Sequence, residues 1–126
     1  ADREAGRADD VLAAQTSGAL QLVEGAGRWA PILFAYEPVW AIGEHGSPAA
    51  AEYVDRCHAL IKDVAGRVLV NRPPVLYGGS VTSQNAAELI ACPRVDGLFV
   101  GRSAWSVEGY IQILDLAGSA VRSDHR

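Results

Sequence analysis

Hydrophobic residues recur at helical spacing in two stretches of the first half of the chain. The first stretch begins after Asp9-Asp10 and stops near Gly25, and its apolar stripe comprises Val11, Leu12, Ala19, Leu22 and Val23. The second has Ser47 as a suitable N-cap, Pro48 at the first helical position and Gly66 after its end. Its apolar positions are Tyr53, Val54, Cys57, Leu60, Ile61 and Val64. Both stretches predict amphipathic helices.

Two further helices are predicted in the second half. One is capped by Thr82 or Ser83, is ended by Pro93, and carries Ala86, Leu89 and Ile90. The last starts at Ser106, and its apolar face comprises Tyr110, Ile113, Leu114, Ala117 and Val121. The polar tail, residues 122–126, is expected to fray.

Three short apolar runs between these helices predict β-strands. Residues 31–36 are apolar without alternation, which is typical of a strand that is covered on both faces. Residues 75–77 and 97–100 form shorter runs that lead directly into glycines. The segment 67–73 contains a possible strand, but the prolines after it favour a loop.

The strands and helices therefore alternate, which predicts an α/β fold with a parallel sheet and right-handed crossovers. In such folds the functional loops follow the carboxyl ends of the strands. These loops contain Glu37 to Gly43, Gly78-Gly79-Ser80 and Gly101-Arg102-Ser103. Glycine turns that open onto helices offer backbone N–H groups and helix dipoles to an anion, so a phosphate site is expected.

Composition narrows the class of protein. The 126 residues fit a single domain, with 49% hydrophobic and 21% charged residues. A formal charge of -4 argues against a non-specific nucleic-acid binder, and no apolar run approaches the length of a membrane span. Cys57 and Cys92 lie far apart in apolar stretches, so they are interpreted as buried thiols in a reducing, cytoplasmic compartment.

Each candidate residue also has a purely structural interpretation. Glu37 alone could be a solvated charge, the Gly-Gly-Ser turn plain turn chemistry, and Trp40 and Tyr77 core aromatics. The three histidines are isolated in the sequence, so a metal site is not expected at His45, His58 or His125. The functional interpretation depends on the placement of the special residues, which all follow successive strands.

Three motifs resemble the C-terminal part of the triosephosphate isomerase family. They are Ala35-Tyr36-Glu37-Pro38-Val39-Trp40-Ala41-Ile42-Gly43, Tyr77-Gly78-Gly79-Ser80-Val81 and Val95-Asp96-Gly97-Leu98-Phe99-Val100-Gly101. Residues 3–7 and 11–15 also resemble the family's stretch after its fifth strand. The resemblance implies a TIM (β/α)8 barrel, of which residues 1–126 form one partial domain with about strands 6–8 and helices 5–8. It also implies an isomerase of a small sugar phosphate that needs neither metal nor organic cofactor, and a homodimer for the intact protein.

The resemblance assigns roles to individual residues. It implies that Glu37 is the general base, which moves a proton between adjacent carbons through an enediolate. In this family a glutamate base and a loop that closes over the substrate catalyse the reaction. It implies phosphate binding by Gly43, Ser80, Gly101 and Arg102. It further implies a mobile lid and its support, formed by Pro38, Val39, Trp40, Ala41, Ile42 and Tyr77.

Two positions depart from the family pattern. The second hinge of the lid reads Glu44-His45-Gly46-Ser47-Pro48, and Arg102 replaces the usual second glycine after the last strand. These departures raise an alternative to the triose phosphate reaction of glycolysis and gluconeogenesis, namely an isomerase of a four-carbon ketose phosphate. Because the family's lysine and histidine lie on earlier strands, the chain alone is expected to be inactive, and a noncatalytic phosphate-binding or interaction fragment is the other alternative.

Overall fold

The computed structural model describes residues 6–123, and the side chains as far as residue 121. Four α-helices and three β-strands alternate along the chain. The helices are α1 (Ala8–Leu20), α2 (Ala51–Ala65), α3 (Ala86–Ile90) and α4 (Val107–Ser123). The strands are β1 (Phe34–Tyr36), β2 (Val75–Tyr77) and β3 (Gly97–Leu98). Short 3-10 helices occupy Gly25–Trp29, Val39–Ala41 and Arg102–Ala104.

The three strands form one parallel sheet in the order β1-β2-β3. Phe34 pairs with Val75, and Leu76 pairs with Gly97. The predicted parallel α/β architecture is therefore confirmed, and all three carboxyl ends meet at one edge of the sheet.

The helices cover one face of this sheet. Val75 and Tyr77 are completely buried there, against Cys57 and Val54 of α2 among others. Because side chains alternate along a strand, the intervening residues point to the other face. On that face Ala35 is exposed, and Phe99 just beyond β3 is 53% exposed. The sheet therefore has one packed face and one open face among the described residues.

Two strands are shorter than expected. The first was expected over residues 31–36, but ladder bonding begins only where the Phe34 N–H donates to the Pro74 carbonyl at 3.0 Å. Pro31 has no N–H to contribute, and the N–H of Ile32 is used locally by the Ala30 carbonyl. The third strand was expected over residues 97–100 but ends at Leu98.

The predicted apolar stripe of α1 is partly wrong. The buried residues of this helix are Leu12, Thr16 and Leu20, while Leu22 is 88% exposed. The helix ends at Leu20, so Leu22 no longer follows the helical spacing. The hydroxyl of Thr16 is accommodated because it donates to the Leu12 carbonyl at 2.8 Å.

Two predicted helix starts are also wrong. Helix α2 begins at Ala51 and not at Pro48, because the N–H of Ser47 donates to the Trp40 carbonyl at 3.0 Å and keeps this segment in the preceding loop. Helix α3 begins at Ala86, several residues after Thr82 and Ser83, and already ends at Ile90, before Pro93.

Other boundaries are confirmed. The N–H of Gly66 donates to the Lys62 carbonyl at 2.9 Å and closes α2, and residues 67–73 form no strand. The Ser106 hydroxyl accepts the N–H of Gly109 at 3.1 Å at the start of α4. On the predicted face of α4 only Ile113 is fully buried, and Tyr110 is 54% exposed.

Some expectations concern residues that the structure does not describe. The polar tail was expected to fray from residue 122, but α4 continues to Ser123. The rest of the tail, including His125, lies outside the described residues, as do residues 3–5 of the resemblance at the start of the chain. Within residues 6–123 no helix is long and apolar enough to cross a membrane. Both thiols are free, and Cys57 is buried as expected, but the prediction for Cys92 is wrong because its side chain is only half-buried.

Candidate active site

A cleft of about 620 Å³ opens at the carboxyl ends of the three strands. The loops that follow β1, β2 and β3 all contribute to its walls. The predicted site residues that line it are Glu37, Ala41, Ile42, Gly43, Ser80, Gly101 and Arg102. The structure thus brings the predicted base and all the predicted phosphate-binding residues to one place.

Glu37 follows the last residue of β1 and is exposed to solvent. Its carboxylate has no hydrogen bond or ion pair with the described residues. It lies over the backbone of Gly78: a Cβ atom added there would be 2.9 Å from Glu37 Oε1 and 2.9 Å from Phe99 Cδ1. The carboxylate therefore lies close to the Gly78 backbone and remains available to a bound molecule.

The lid, which we define as residues 38–47, is held tightly where it begins. The N–H of Ala41 donates to the Pro38 carbonyl at 2.8 Å and closes the 3-10 helix Val39–Ala41. Ala41 is completely buried, and its own carbonyl accepts the hydroxyl of Ser80 at 2.8 Å. The loop after β2 therefore bonds directly to the beginning of the lid.

The tip of the lid turns at Gly43. This residue has a φ of +85°, a conformation that glycine adopts readily. Later in the lid, Gly46 lies so close to the backbone of Ala41 that an added Cβ would be 2.7 Å from the Ala41 carbonyl carbon. The lid therefore folds back on itself between Ala41 and Gly46.

The predicted hinge residues Pro38, Val39 and Trp40 lie on the other side of the lid. They line a separate groove of about 390 Å³ that faces α1. The Trp40 ring packs against the ring of Tyr53 on α2, edge to face, with centroids 5.7 Å apart. The first half of the lid thus contacts the helices, and the second half contacts the cleft.

The turn after β2 holds an unusual backbone conformation at Ser80. Its φ is +49°, a region that costs a non-glycine residue about 1–3 kcal/mol. Asn85 supports this turn twice: its Nδ2 donates to the Ser80 carbonyl at 3.1 Å, and its Oδ1 accepts the N–H of Thr82 at 2.8 Å. Sequence reasoning missed Asn85, although an asparagine shortly after a turn is able to bond nearby backbone groups.

Tyr77 is completely buried beneath the same turn. Its hydroxyl donates to the Gly79 carbonyl at 2.9 Å. Burial raises the pKa of Tyr77 to about 12, although the backbone N–H of Ala49, just beyond the lid, opposes this rise. A Cβ on Gly79 would lie 2.9 Å from this hydroxyl and 3.0 Å from the Cβ of Ala41. Tyr77 therefore supports the turn by a hydrogen bond, and Gly79 lets this turn approach Ala41 of the lid closely.

The turn after β3 is fixed to the turn after β2. The hydroxyl of Ser103 donates to the Val81 carbonyl at 2.7 Å. In the described part of the chain, no backbone carbonyl accepts the N–H groups of Ser80, Gly101 or Arg102. Three residues with backbone N–H groups that have no acceptor among the described residues therefore line the cleft, and such groups are able to receive an oxyanion.

The side chain of Arg102 crosses the cleft to the lid. Its guanidinium donates a hydrogen bond to the carbonyl of Gly43. Arg102 and Glu37 are the charged side chains that line this cleft in the described part of the chain.

The two glycine turns open onto shorter helices than expected. Helix α3 begins only at Ala86, away from Ser80, and it comprises 5 residues. The turn after Gly101 leads into a 3-10 helix of 3 residues. Helices this short have a small macrodipole, so backbone N–H groups carry the attraction for an anion.

The histidines take no part in the cleft. His58 is completely buried on α2, with its Nδ1 at 3.2 Å from the Arg94 carbonyl and its Nε2 unpartnered. Burial lowers the pKa of His58. His45 is exposed in the lid. The described residues contain no group of three or more His, Cys, Asp or Glu side chains that could hold a metal ion.

The chain is similar to known proteins over nearly its whole length. The family model described as triosephosphate isomerase matches residues 1–117. The L-erythrulose-1-phosphate isomerase of Mesorhizobium japonicum is 61% identical over 121 residues, which are 96% of this chain and 48% of that protein. The proteins of the same name from Rhizobium meliloti and Brucella abortus are 58% and 56% identical, over 96% and 98% of this chain and 48% of each relative. The chain thus spans about half the length of the curated relatives it matches.

Proposed function

Since the chain belongs to the triosephosphate isomerase family, we propose that residues 1–126 form one partial barrel domain. In this proposal β1, β2 and β3 are strands six, seven and eight of a (β/α)8 barrel, and α1 to α4 are helices five to eight. The parallel order of the strands and the open face of the sheet support the assignment. The remaining strands of the barrel would cover that open face.

We propose that the intact protein isomerises a small sugar phosphate. The names of the relatives favour a four-carbon ketose phosphate, such as L-erythrulose 1-phosphate, over the triose phosphates of glycolysis and gluconeogenesis. The homodimeric state expected for the family belongs to the same proposal.

The proposed mechanism uses Glu37 as the general base. Its carboxylate removes a proton from the hydroxyl-bearing carbon beside the substrate carbonyl, an enediolate forms, and the proton returns to the former carbonyl carbon. A second proton passes from the hydroxyl oxygen to the former carbonyl oxygen, so that the carbonyl group changes place. The N–H groups of Ser80, Gly101 and Arg102 receive the phosphate oxygens, and Gly43 closes over them. A lid is needed because water reaching the enediolate would favour side reactions such as loss of phosphate. The electrophile that polarises the carbonyl would come from the rest of the barrel.

One observation carries the proposal. Glu37, whose carboxylate has no partner among the described residues, lines a single cleft of about 620 Å³ together with Ser80, Gly101 and Arg102, whose backbone N–H groups have no acceptor there either. The first group suits removal of a proton from carbon, and the second suits a phosphate. Their combination in one cleft fits a phosphorylated substrate that reacts next to its carbonyl group.

The test is the activity of the Glu37→Gln variant of the intact protein. A positioned general base contributes about 10²–10⁴-fold in rate, so turnover of L-erythrulose 1-phosphate should fall by that factor. The substitution keeps the size of the side chain and removes only its basicity. Glu88→Gln, at an exposed position on α3, is the matched control and should leave turnover unchanged.

Comparison of substrates completes the experiment. Turnover of L-erythrulose 1-phosphate should exceed turnover of dihydroxyacetone phosphate under the same conditions. Near-normal turnover by Glu37→Gln would remove this residue from the mechanism. Phosphate binding without turnover of either substrate would favour a noncatalytic phosphate-binding role.

A further inference from the structure

The tip of the lid, which is the turn of residues 43–46, has fewer contacts with the rest of the described structure than the beginning of the lid, residues 38–41. The beginning of the lid is held through the buried Ala41, whose carbonyl accepts a hydrogen bond from the hydroxyl of Ser80. At the tip, the Gly43 carbonyl accepts the N–H of Gly46 at the long distance of 3.4 Å and the guanidinium of Arg102. The bond from Gly46 lies within the lid itself. The bond from Arg102 is therefore the tie that connects the lid tip to the turn after β3.

We propose that Arg102 is a positioning residue that latches the tip of the lid to the phosphate-binding turn. This proposal rests on the proposed function, because the latch matters only if the cleft binds a phosphorylated substrate. Arg102 lines the cleft and its backbone N–H has no acceptor among the described residues, while its side chain reaches the lid, so one residue joins both parts. The latch couples the position of the lid to occupancy of the anion site.

The chemistry of arginine suits this role. A guanidinium is permanently charged and carries five N–H donors in a planar fork. One donor bonds the Gly43 carbonyl, so others remain for a phosphate oxygen. A bound dianion fixes the guanidinium, and the fixed guanidinium then holds the carbonyl of the lid. Binding of phosphate should therefore protect the lid from solvent.

The test combines three variants of the intact protein. Arg102→Gln removes the charge and the fork, and Arg102→Lys keeps the charge with one compact ammonium group. Arg67→Gln is the matched control, because it removes one exposed positive charge from the loop after α2, away from the cleft. None of these substitutions affects a buried side chain.

The first measurement is hydrogen–deuterium exchange of the lid, with and without inorganic phosphate. Loss of a hydrogen bond from a charged donor should accelerate exchange of the lid amides in Arg102→Gln by about tenfold. Phosphate should slow exchange of the lid in the wild type and in Arg67→Gln but not in Arg102→Gln. Arg102→Lys should recover part of this protection. If Arg102→Gln does not fold, Arg102→Lys still tests the proposal through its smaller change in the same direction.

The second measurement is steady-state turnover. A loosened lid exposes the reacting carbon to water, so kcat should fall in Arg102→Gln in addition to any rise in KM. Equal exchange of the lid in Arg102→Gln and wild type would overturn the latch, and so would weaker phosphate binding with unchanged lid exchange. Neither result would affect the role of Glu37, which is judged separately by the activity of Glu37→Gln.

Discussion

Adding one methyl group at Gly78 should displace the proposed base without unfolding the protein. A Cβ at this position would lie 2.9 Å from Glu37 Oε1 and 3.0 Å from Glu37 Cγ. Non-bonded contacts of this kind are comfortable only at about 3.5 Å or more, so the carboxylate has to move by about 0.5–1 Å. A misplacement of about 1 Å is able to cost 10²-fold in rate, so Gly78→Ala should lower kcat by about 10–100-fold.

The stability of Gly78→Ala should change little. The other atom in the way is Cδ1 of Phe99, on a side chain that is 53% exposed and free to move. An alanine at a position with an ordinary φ also restricts the unfolded chain, which stabilises by about 0.4–1 kcal/mol. The two effects oppose each other, so the free energy of unfolding should stay within about 1 kcal/mol of the wild type.

The assay compares kcat with the urea midpoint of the intact protein for Gly78→Ala and for a matched control. The control is Gly18→Ala in α1, where an added Cβ meets nothing within 4 Å. It should raise the free energy of unfolding by about 1 kcal/mol and leave kcat unchanged. A folded Gly78→Ala protein with wild-type kcat would refute the reasoning that close packing on Gly78 positions the base.

Two further predictions concern the stability of the scaffold. Because burial lowers the pKa of His58 below 6.5, the unfolded chain binds more protons than the folded protein below that pH, and the free energy of unfolding should fall by up to about 1.4 kcal/mol per pH unit on acidification. Urea melts of wild type and His58→Phe at about pH 5 and pH 7 measure this slope, and equal slopes would contradict a neutral His58. The carboxylate of Asp96 accepts the N–H of Val75 at 2.7 Å and pairs with Lys62 at 2.7 Å, so Asp96→Ala should lower the free energy of unfolding by about 2 kcal/mol in urea melts. The control is Asp63→Ala, because Asp63 is exposed and follows Lys62 in the sequence. Equally small changes in the free energy of unfolding for both substitutions would be inconsistent with a stabilising role of Asp96.

The order of elements could be predicted from the sequence, but several boundaries could not. Strands and helices differ in the period of their apolar residues, and this local signal identified β2 and the body of α2. The start of α2 depends on a bond between Ser47 and the Trp40 carbonyl, which is a property of the folded lid. The end of α1 likewise placed Leu22 in solvent, although its spacing from Val11 suits a helix.

The residues of the site were predicted better than the contacts among them. The position of Glu37 and Ser80 after successive strands is enough to place them at one edge of a parallel sheet. The bond from Arg102 to the Gly43 carbonyl joins loops that are far apart in the sequence, and no local pattern encodes it. The role of Asn85 was hidden for a related reason, since its residue type also suits an ordinary helix cap.

The register of the sheet implies an order in which the parts of the cleft assemble during folding. Leu76 on β2 pairs with Gly97 on β3, whereas Phe34 on β1 has to meet Val75 across a connection about twice as long. Each doubling of a loop adds about 0.6 kcal/mol to the entropic cost of closing it. The β2-α3-β3 unit should therefore form first. The loops with Ser80, Gly101 and Arg102 then come together before β1 pairs with β2 and places Glu37 beside them. The proposed anion-binding residues should therefore assemble earlier in folding than the proposed base.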